Sequence, residues 1–365
     1  MTAPARVALA AASALLRALF ALPRPAVRLL AGRPVTRDGQ RLAPEAQLLL
    51  RLKRLTRADA QRGDAVQSRR LMRRSTALVD GPRVQPVRAR ELAVPGPAGP
   101  VPCRLYEPEG LATPSPLLVF LHGGGWVVGD LDTHDNLCRL LALRAGVRVL
   151  AADYRLAPEH RFPAGADDAL AVYRWVRAHP ADVGADPAAV SLGGDSAGGN
   201  LAAVTALRAH DEGLAPPAFL LLLYPGADAS VRRRSRELFG DGFLLTDEQM
   251  TWFADQYVPD PRERAQPHVS PLLADDLSVL PPTYVATAGF DPLRDEAEAF
   301  AEALSAAGVP VVLRRHPDLV HGFASLFAVA PRFAEAVAEA AGALRVGLAL
   351  ATAPRRAADR TSTPS

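Results

Sequence analysis

Residues 190-VSLGGDSAGGN-200 join a short apolar run to helix-forming sequence through a serine flanked by glycines. A strand–glycine–helix junction of this kind serves one of two purposes: it cradles a phosphate with backbone N–H groups, or it presents a serine as a nucleophile. Gly193 and Gly198 have the outer spacing of a phosphate-binding G-x-x-x-x-G loop, but such a loop continues with Lys and then Ser or Thr. Here Gly199 and Asn200 follow, and no cation lies nearby. The stretch 194-GDSAG-198 instead fits G-x-S-x-G, in which the serine sits on a strained strand-to-helix turn. Its neighbours two residues away on each side must be small. The pattern is weak alone and requires partners elsewhere in the chain.

Outward from that turn, short apolar runs alternate with helical stretches. Strands are expected at 84–94, 101–107, 117–121, 147–152, 189–192, 219–224, 283–288 and 310–315. Helices are expected at 40–78, 166–178, 198–211, 293–307 and 331–347, with an irregular helical insertion near 226–272. The alternation predicts an α/β fold, a mostly parallel central sheet flanked by helices on both faces. In such sheets the chemistry gathers at the carboxyl ends of the strands.

Three of those ends carry chemistry-bearing residues. After 117-LLVFL-121 comes 122-HGGGW-126, whose bare backbone N–H groups suit an oxyanion hole better than a plain turn. The N–H of Ala197, directly after the serine, adds a further donor. After 283-TYVATA-288, Asp291 stands before a proline-led helix, where it also suits a helix N-cap. Asp295 and Glu296 are fallback acids that better serve the helix dipole or a neighbouring arginine. Of the histidines after Ser196, His210 lies at a helix end, His268 in the insertion, and His316 at a strand end pointing sideways. His321, in a loop before Gly322, is free to reach back over the sheet and is the expected base.

Composition excludes several other classes. The 365 residues with a net charge of +3 fit a globular protein without a nucleic-acid-binding signature. Only Lys53 among the basic residues is lysine, a sign of base-composition bias rather than chosen chemistry. Arg232, Arg233 and Arg234 read as a solvated loop. Cys103 and Cys138 have no metal spacing and no H-E-x-x-H occurs, so neither a metal nor an organic cofactor is implied.

Residues 5–31 are apolar but interrupted by arginines, so they cannot span a bilayer. Arg6, Arg17, Arg24 and Arg28 share one narrow helical sector, and Pro23 and Pro25 split any helix there. A cap or surface helix, a peripheral contact with an anionic membrane, and a cleaved signal all stay open, in falling order.

The set 122-HGGGW-126, 153-DYRLAPEHRFPA-164, 194-GDSAGG-199, 289-GFDPLRDE-296 and 321-HGF-323 resembles the hormone-sensitive-lipase-type, bacterial family IV branch of the α/β-hydrolases. Ser196, Asp291 and His321 also follow the α/β-hydrolase chain order. The resemblance covers about residues 84–345. It implies the α/β-hydrolase fold with a helical cap and a catalytic triad of Ser196, Asp291 and His321. It also implies an oxyanion hole from Gly124, Gly125 and Ala197, with Gly123 less directly involved, and a buttressing role for 153–164. Residues 1–83 are expected as an N-terminal helical segment and cap. Residues 84–347 form the catalytic domain with a cap insertion at 226–272, and 348–365 a disordered tail. Trp126, Asp195, Trp252, Phe253 and Phe323 are expected pocket residues.

The expected activity is cleavage of short- to medium-chain carboxylic esters through an acyl-serine intermediate. An amidase or deacetylase on the same triad is the alternative, with a non-catalytic small-molecule receptor a weaker one. The expected partner is a small ester, with room for a homodimer, and the expected location is cytoplasmic.

Overall fold

The computed structural model describes residues 3–56 and 64–352. Two small strands, β1 (Thr36–Arg37) and β2 (Gln40–Arg41), form a hairpin, and eight others form one sheet. These are β3 (Val87–Gly96), β4 (Gly99–Pro108), β5 (Ser115–Leu121), β6 (Arg148–Ala152), β7 (Ala185–Asp195), β8 (Leu220–Leu223), β9 (Thr283–Phe290) and β10 (Val311–Val320). Their order across the sheet is β10-β9-β8-β7-β5-β6-β4-β3, with β4 alone running against the others.

β5 explains why the sheet is central. Leu117, Val119 and Leu121 enter the core on one face, while Leu118 and Phe120 enter it on the other, all without exposure. A strand buried on both faces reads as a continuous apolar run because the pleat alternates its side chains. From β5 the chain goes first to β6 on one side and later to β7 on the other. That reversal of strand order opens a crevice at the carboxyl ends of β5 and β7. The register pairs Leu121 with Gly194, so 122-HGGGW-126 and Ser196 emerge side by side.

Helices cover both faces. Helices α1 (Ala3–Phe20), α2 (Arg24–Ala31), α3 (Pro44–Thr56) and α4 (Ala65–Val79) precede the sheet. Pro23 and Pro25 separate α1 from α2, as the sequence predicts. The helix expected over 40–78 is instead hairpin residues, α3 and α4, with Asp64 capping α4 through the Gln67 N–H at 2.8 Å. The later helices are α5 (Asp135–Ala145), α6 (Ala164–Ala178), α7 (Ala197–Asp211), α8 (Arg234–Phe239), α9 (Asp247–Tyr257), α10 (Arg294–Ala306) and α11 (Pro331–Thr352). Residues 348–352 thus end α11 rather than begin a tail, and the disorder expected for 353–365 lies outside the described residues.

A third apolar cluster sits above the strand ends. Val127 and Val128, from the loop after β5, pack with Phe253, Tyr257, Val258 and Val269 of the insertion and Ala65 of α4. Arg232, Arg233 and Arg234 are not a free solvated run: they pair with Asp247, Asp228 and Asp38 at 2.9, 3.0 and 3.2 Å. Cys103 and Cys138 are both buried free thiols. Among the described residues no helix is long and apolar enough to cross a membrane.

Candidate active site

Three strands deliver one site residue each, immediately after their last strand position. Ser196 follows β7, Asp291 follows β9 and His321 follows β10. β10 runs on past His316 to Val320, five residues beyond the expected end at 315, so His321 stands at the strand terminus rather than within a longer loop.

Ser196 occupies φ +55° and ψ −120°, a region a side-chain-bearing residue enters only when its surroundings force it. Its N–H donates to the Leu223 carbonyl at 2.8 Å, and its carbonyl accepts from Asn200 and Gly226. The two motif glycines allow the turn. A Cβ on Gly194 would lie 2.3 Å from the Leu121 oxygen, and one on Gly198 would lie 1.9 Å from the same atom. The turn holds the Ser196 hydroxyl above the sheet at the start of α7.

The Ser196 Oγ lies 3.0 Å from His321 Nε2, and His321 Nδ1 lies 2.7 Å from Asp291 Oδ2. Asp291 is fully buried, and its other oxygen accepts the Leu293 N–H at 2.8 Å. It therefore serves the head of α10 and the histidine together. Tyr224 meets the His321 ring edge to face at 4.8 Å, and Phe323 meets Tyr224 in the same way at 4.9 Å. His316 is buried against Phe323, and burial beside Arg332 and Arg314 pushes its imidazole down to about 4. His210 is exposed, and His268 faces Asp211 at 3.2 Å; neither approaches the serine.

The loop after β5 faces this chain. Gly124 at φ +125° and Gly125 at φ +59° turn the backbone tightly, and the Gly124 carbonyl accepts from Val127 and Val128. A Cβ on Gly124 would lie 2.1 Å from the Val128 oxygen, and one on Gly125 would meet the Phe253 ring at 2.3 Å. Among the described residues, neither the Gly124 nor the Gly125 N–H has an acceptor in the protein. Ala197 opens α7, where the first N–H groups lack intrahelical acceptors. The Gly123 N–H is different, since it donates to Asp195 Oδ1 at 2.8 Å and is occupied.

That bond corrects the placement of Asp195. It was expected as a pocket residue but is buried beneath the loop, with Oδ1 also 3.2 Å from His134 Nε2. Against the desolvation of burial, the His134 charge and the Gly123 N–H hold its carboxyl below the usual range. Asp195 likewise holds the buried His134 above the ordinary imidazole range. Phe323 is corrected too: fully buried, it packs on Tyr224, which in turn meets His321, rather than lining a pocket. Trp126, Trp252 and Phe253 remain on the cap side, with Trp126 stacked on Tyr257 at 4.6 Å and Phe253 beneath Gly125.

Residues 153–164 buttress the loop, as expected. The Tyr154 hydroxyl donates to the His122 carbonyl at 2.7 Å, and the Ala157 N–H donates to the Trp126 carbonyl at 2.9 Å. From α4, Arg69 donates to the Val127 and Ala157 carbonyls and pairs with Glu159. Asp295 pairs with Arg294 and accepts from the Ser235 N–H. Glu296 stands in the first turn of α10, as the dipole reading expects, but among the described residues it pairs with no arginine. It is buried, accepts the Ala227 and Asp228 N–H groups, and burial raises its carboxyl to about 8.

Comparison with known proteins agrees with this architecture. A family model described as alpha/beta hydrolase fold matches residues 118–325. The carboxylic ester hydrolase LipN of Mycobacterium tuberculosis is 48% identical over 336 residues, covering 90% of this chain and 89% of that protein. An ethyl acetate hydrolase of Pseudomonas putida is 41% identical over 71% of this chain and 83% of its own length. Among solved structures, an esterase of Pyrobaculum calidifontis superposes with a TM-score of 0.77 at 36% identity, covering 84% of this chain and 98% of its own. The chain belongs to the α/β-hydrolase fold family, and within it to the hormone-sensitive-lipase-type branch.

Proposed function

We propose that the protein is a serine hydrolase of small carboxylic esters, with Ser196 as nucleophile, His321 as base and Asp291 orienting the imidazole. His321 takes the Ser196 proton as Oγ attacks the ester carbonyl, and Asp291 stabilises the imidazolium. The N–H groups of Gly124, Gly125 and Ala197 receive the developing oxyanion, each such donor being worth about 10²–10³ in rate. The imidazolium then protonates the leaving alkoxide, the alcohol departs and an acyl-serine remains. Water deprotonated by His321 attacks that acyl group, and the acid leaves.

The observation that carries this reading is the unbroken chain from Ser196 Oγ through His321 to Asp291, mounted on a serine at positive φ. Similarity to an ethyl acetate hydrolase of Pseudomonas putida favours short acyl groups. In this reading Asp195 is a positioning residue that keeps the oxyanion loop over Ser196 through Gly123.

Initial rates on p-nitrophenyl esters from acetate to palmitate, with Ser196→Ala as blank, test the proposal. Turnover confined to the shorter acyl chains and absent from the variant is expected. Hydrolysis retained by folded Ser196→Ala would remove Ser196 from the mechanism, and rates rising to palmitate would overturn the short-chain assignment.

A further inference from the structure

The outer face of the N-terminal helix inverts the usual surface pattern. A surface helix turns its polar residues to water and its apolar stripe to the core. In α1 the polar Ser13 is turned inward, where it accepts from Arg17 at 2.6 Å, beside the packed Leu16 and Phe20. The exposed positions between 8 and 18 are Leu15 and alanines, with no polar residue among them. Beyond the helix end, Leu22 is exposed, and in α2 so are Leu29 and Leu30. Leu15 is 73% exposed and Leu29 81%. Of the twelve large apolar side chains exposed among the described residues, these four fall within residues 15–30. The concentration marks the α1–α2 segment out from scattered surface leucines.

The charge around this face is predominantly basic, with Glu45 and Asp318 as its acidic neighbours. Residues 1–37 contain six arginines and no acidic residue, and Arg24, Arg28 and Arg33 are exposed beside the leucines. Beside them a cleft of about 490 Å³ opens between the α1–α2 corner and residues 327–331, its charged lining being Arg17, Arg24 and Glu45 and its apolar lining including Phe20, Leu22 and Phe327.

We propose that this face docks on an anionic lipid bilayer, its leucines entering the headgroup–acyl boundary and its arginines meeting the lipid phosphates. Apolar side chains flanked by cations, on a helix that cannot span, are what an interfacial segment requires. A second copy of the chain fits less well. A two-fold contact would place the same basic face against itself, arginine against arginine. The proposal is independent of the hydrolytic chemistry. It has a structural link to the site all the same: α1 packs on α4, whose Arg69 holds the oxyanion loop.

The test is co-sedimentation of the full chain with vesicles of POPC alone or POPC containing POPG, at low and high salt. Binding to the POPG vesicles should exceed that to POPC by about tenfold or more, and should weaken as salt rises. The double variants Leu15→Glu with Leu29→Glu, and Arg24→Glu with Arg28→Glu, should each lose most of the binding. Both should keep wild-type turnover of a soluble ester, which certifies their fold. Equal binding to both vesicles, or binding untouched by either variant, would overturn the proposal. So would a dimer, measured by light scattering, that the leucine variant splits without any vesicle binding by the wild type.

Discussion

Two close aspartate–histidine pairs stand at the carboxyl end of the sheet, beside a looser third of Asp153 and His122 at 3.9 Å, and of the two only one reaches a serine. Asp291 and His321 are 2.7 Å apart, and the far nitrogen of His321 points to Ser196 Oγ at 3.0 Å. Asp195 and His134 are 3.2 Å apart, but the far nitrogen of His134 meets the Thr133 hydroxyl at 3.0 Å, inside the protein. The first histidine is partly exposed and the second is buried. An Asp–His contact therefore does not by itself announce proton transfer. What the far nitrogen touches decides between moving a proton and holding a loop. Asp195 adds a second bond, to the Gly123 N–H, and that bond makes the pair an anchor.

Replacing each aspartate separates the two roles. Asp291→Asn should lower kcat/KM on p-nitrophenyl butyrate by about 10⁴, as expected when a histidine loses its orienting carboxylate. Asp195→Asn should cost less, about 10–10² and mostly in kcat, because Asn still accepts from Gly123 while losing the charge that holds His134. KM for the same ester should change little in Asp195→Asn, since the residue touches no part of the substrate. A loss of kcat/KM in Asp195→Asn as large as that in Asp291→Asn would erase the distinction.

A third carboxyl sharpens the comparison through stability. Glu296 is buried with only backbone donors, so its folded value of about 8 stands above that of the unfolded chain. The folded form then holds a proton that the unfolded form has released. Stability from this group is full below the unfolded value near 4.5 and is lost as pH rises towards about 8. Glu296→Gln keeps an oxygen for Ala227 and Asp228 and removes the titration. Denaturant melts across that window should show the wild-type slope flattened by up to about 1.4 kcal/mol per pH unit. An unchanged slope would mean that Glu296 is ionised in the folded protein.

Much of this site was legible because strand ends mark themselves. Each of β5, β7 and β9 carries an apolar run, and His122, Ser196 and Asp291 follow closely after those runs stop at 121, 192 and 288. Pro317 concealed the true end of β10, since proline argues against a strand; on an edge strand it is tolerated, and β10 is the edge. The hairpin at 36–41 was missed although Asp38-Gly39, both at positive φ, is a strong turn signal. Asp195 was misplaced because proximity to Ser196 suggested the pocket. The pleat turns successive residues to opposite sides, so a neighbour of the nucleophile should point away from it. The Gly123 bond spans seventy-two positions and has no local signature. Burial of Phe323 depends on Tyr224, just past β8 and distant in sequence, and on His316 of β10.

The central claim is that Ser196 alone is made nucleophilic by its turn and by His321. Intact-protein mass spectrometry after exposure to a p-nitrophenyl phosphonate ester tests it most directly. One phosphonyl group on the wild-type chain, mapped to Ser196 by peptide analysis and absent from Ser196→Ala and strongly slowed in His321→Ala, is the predicted result. A label on another residue, or equal labelling of Ser196→Ala, would contradict the account.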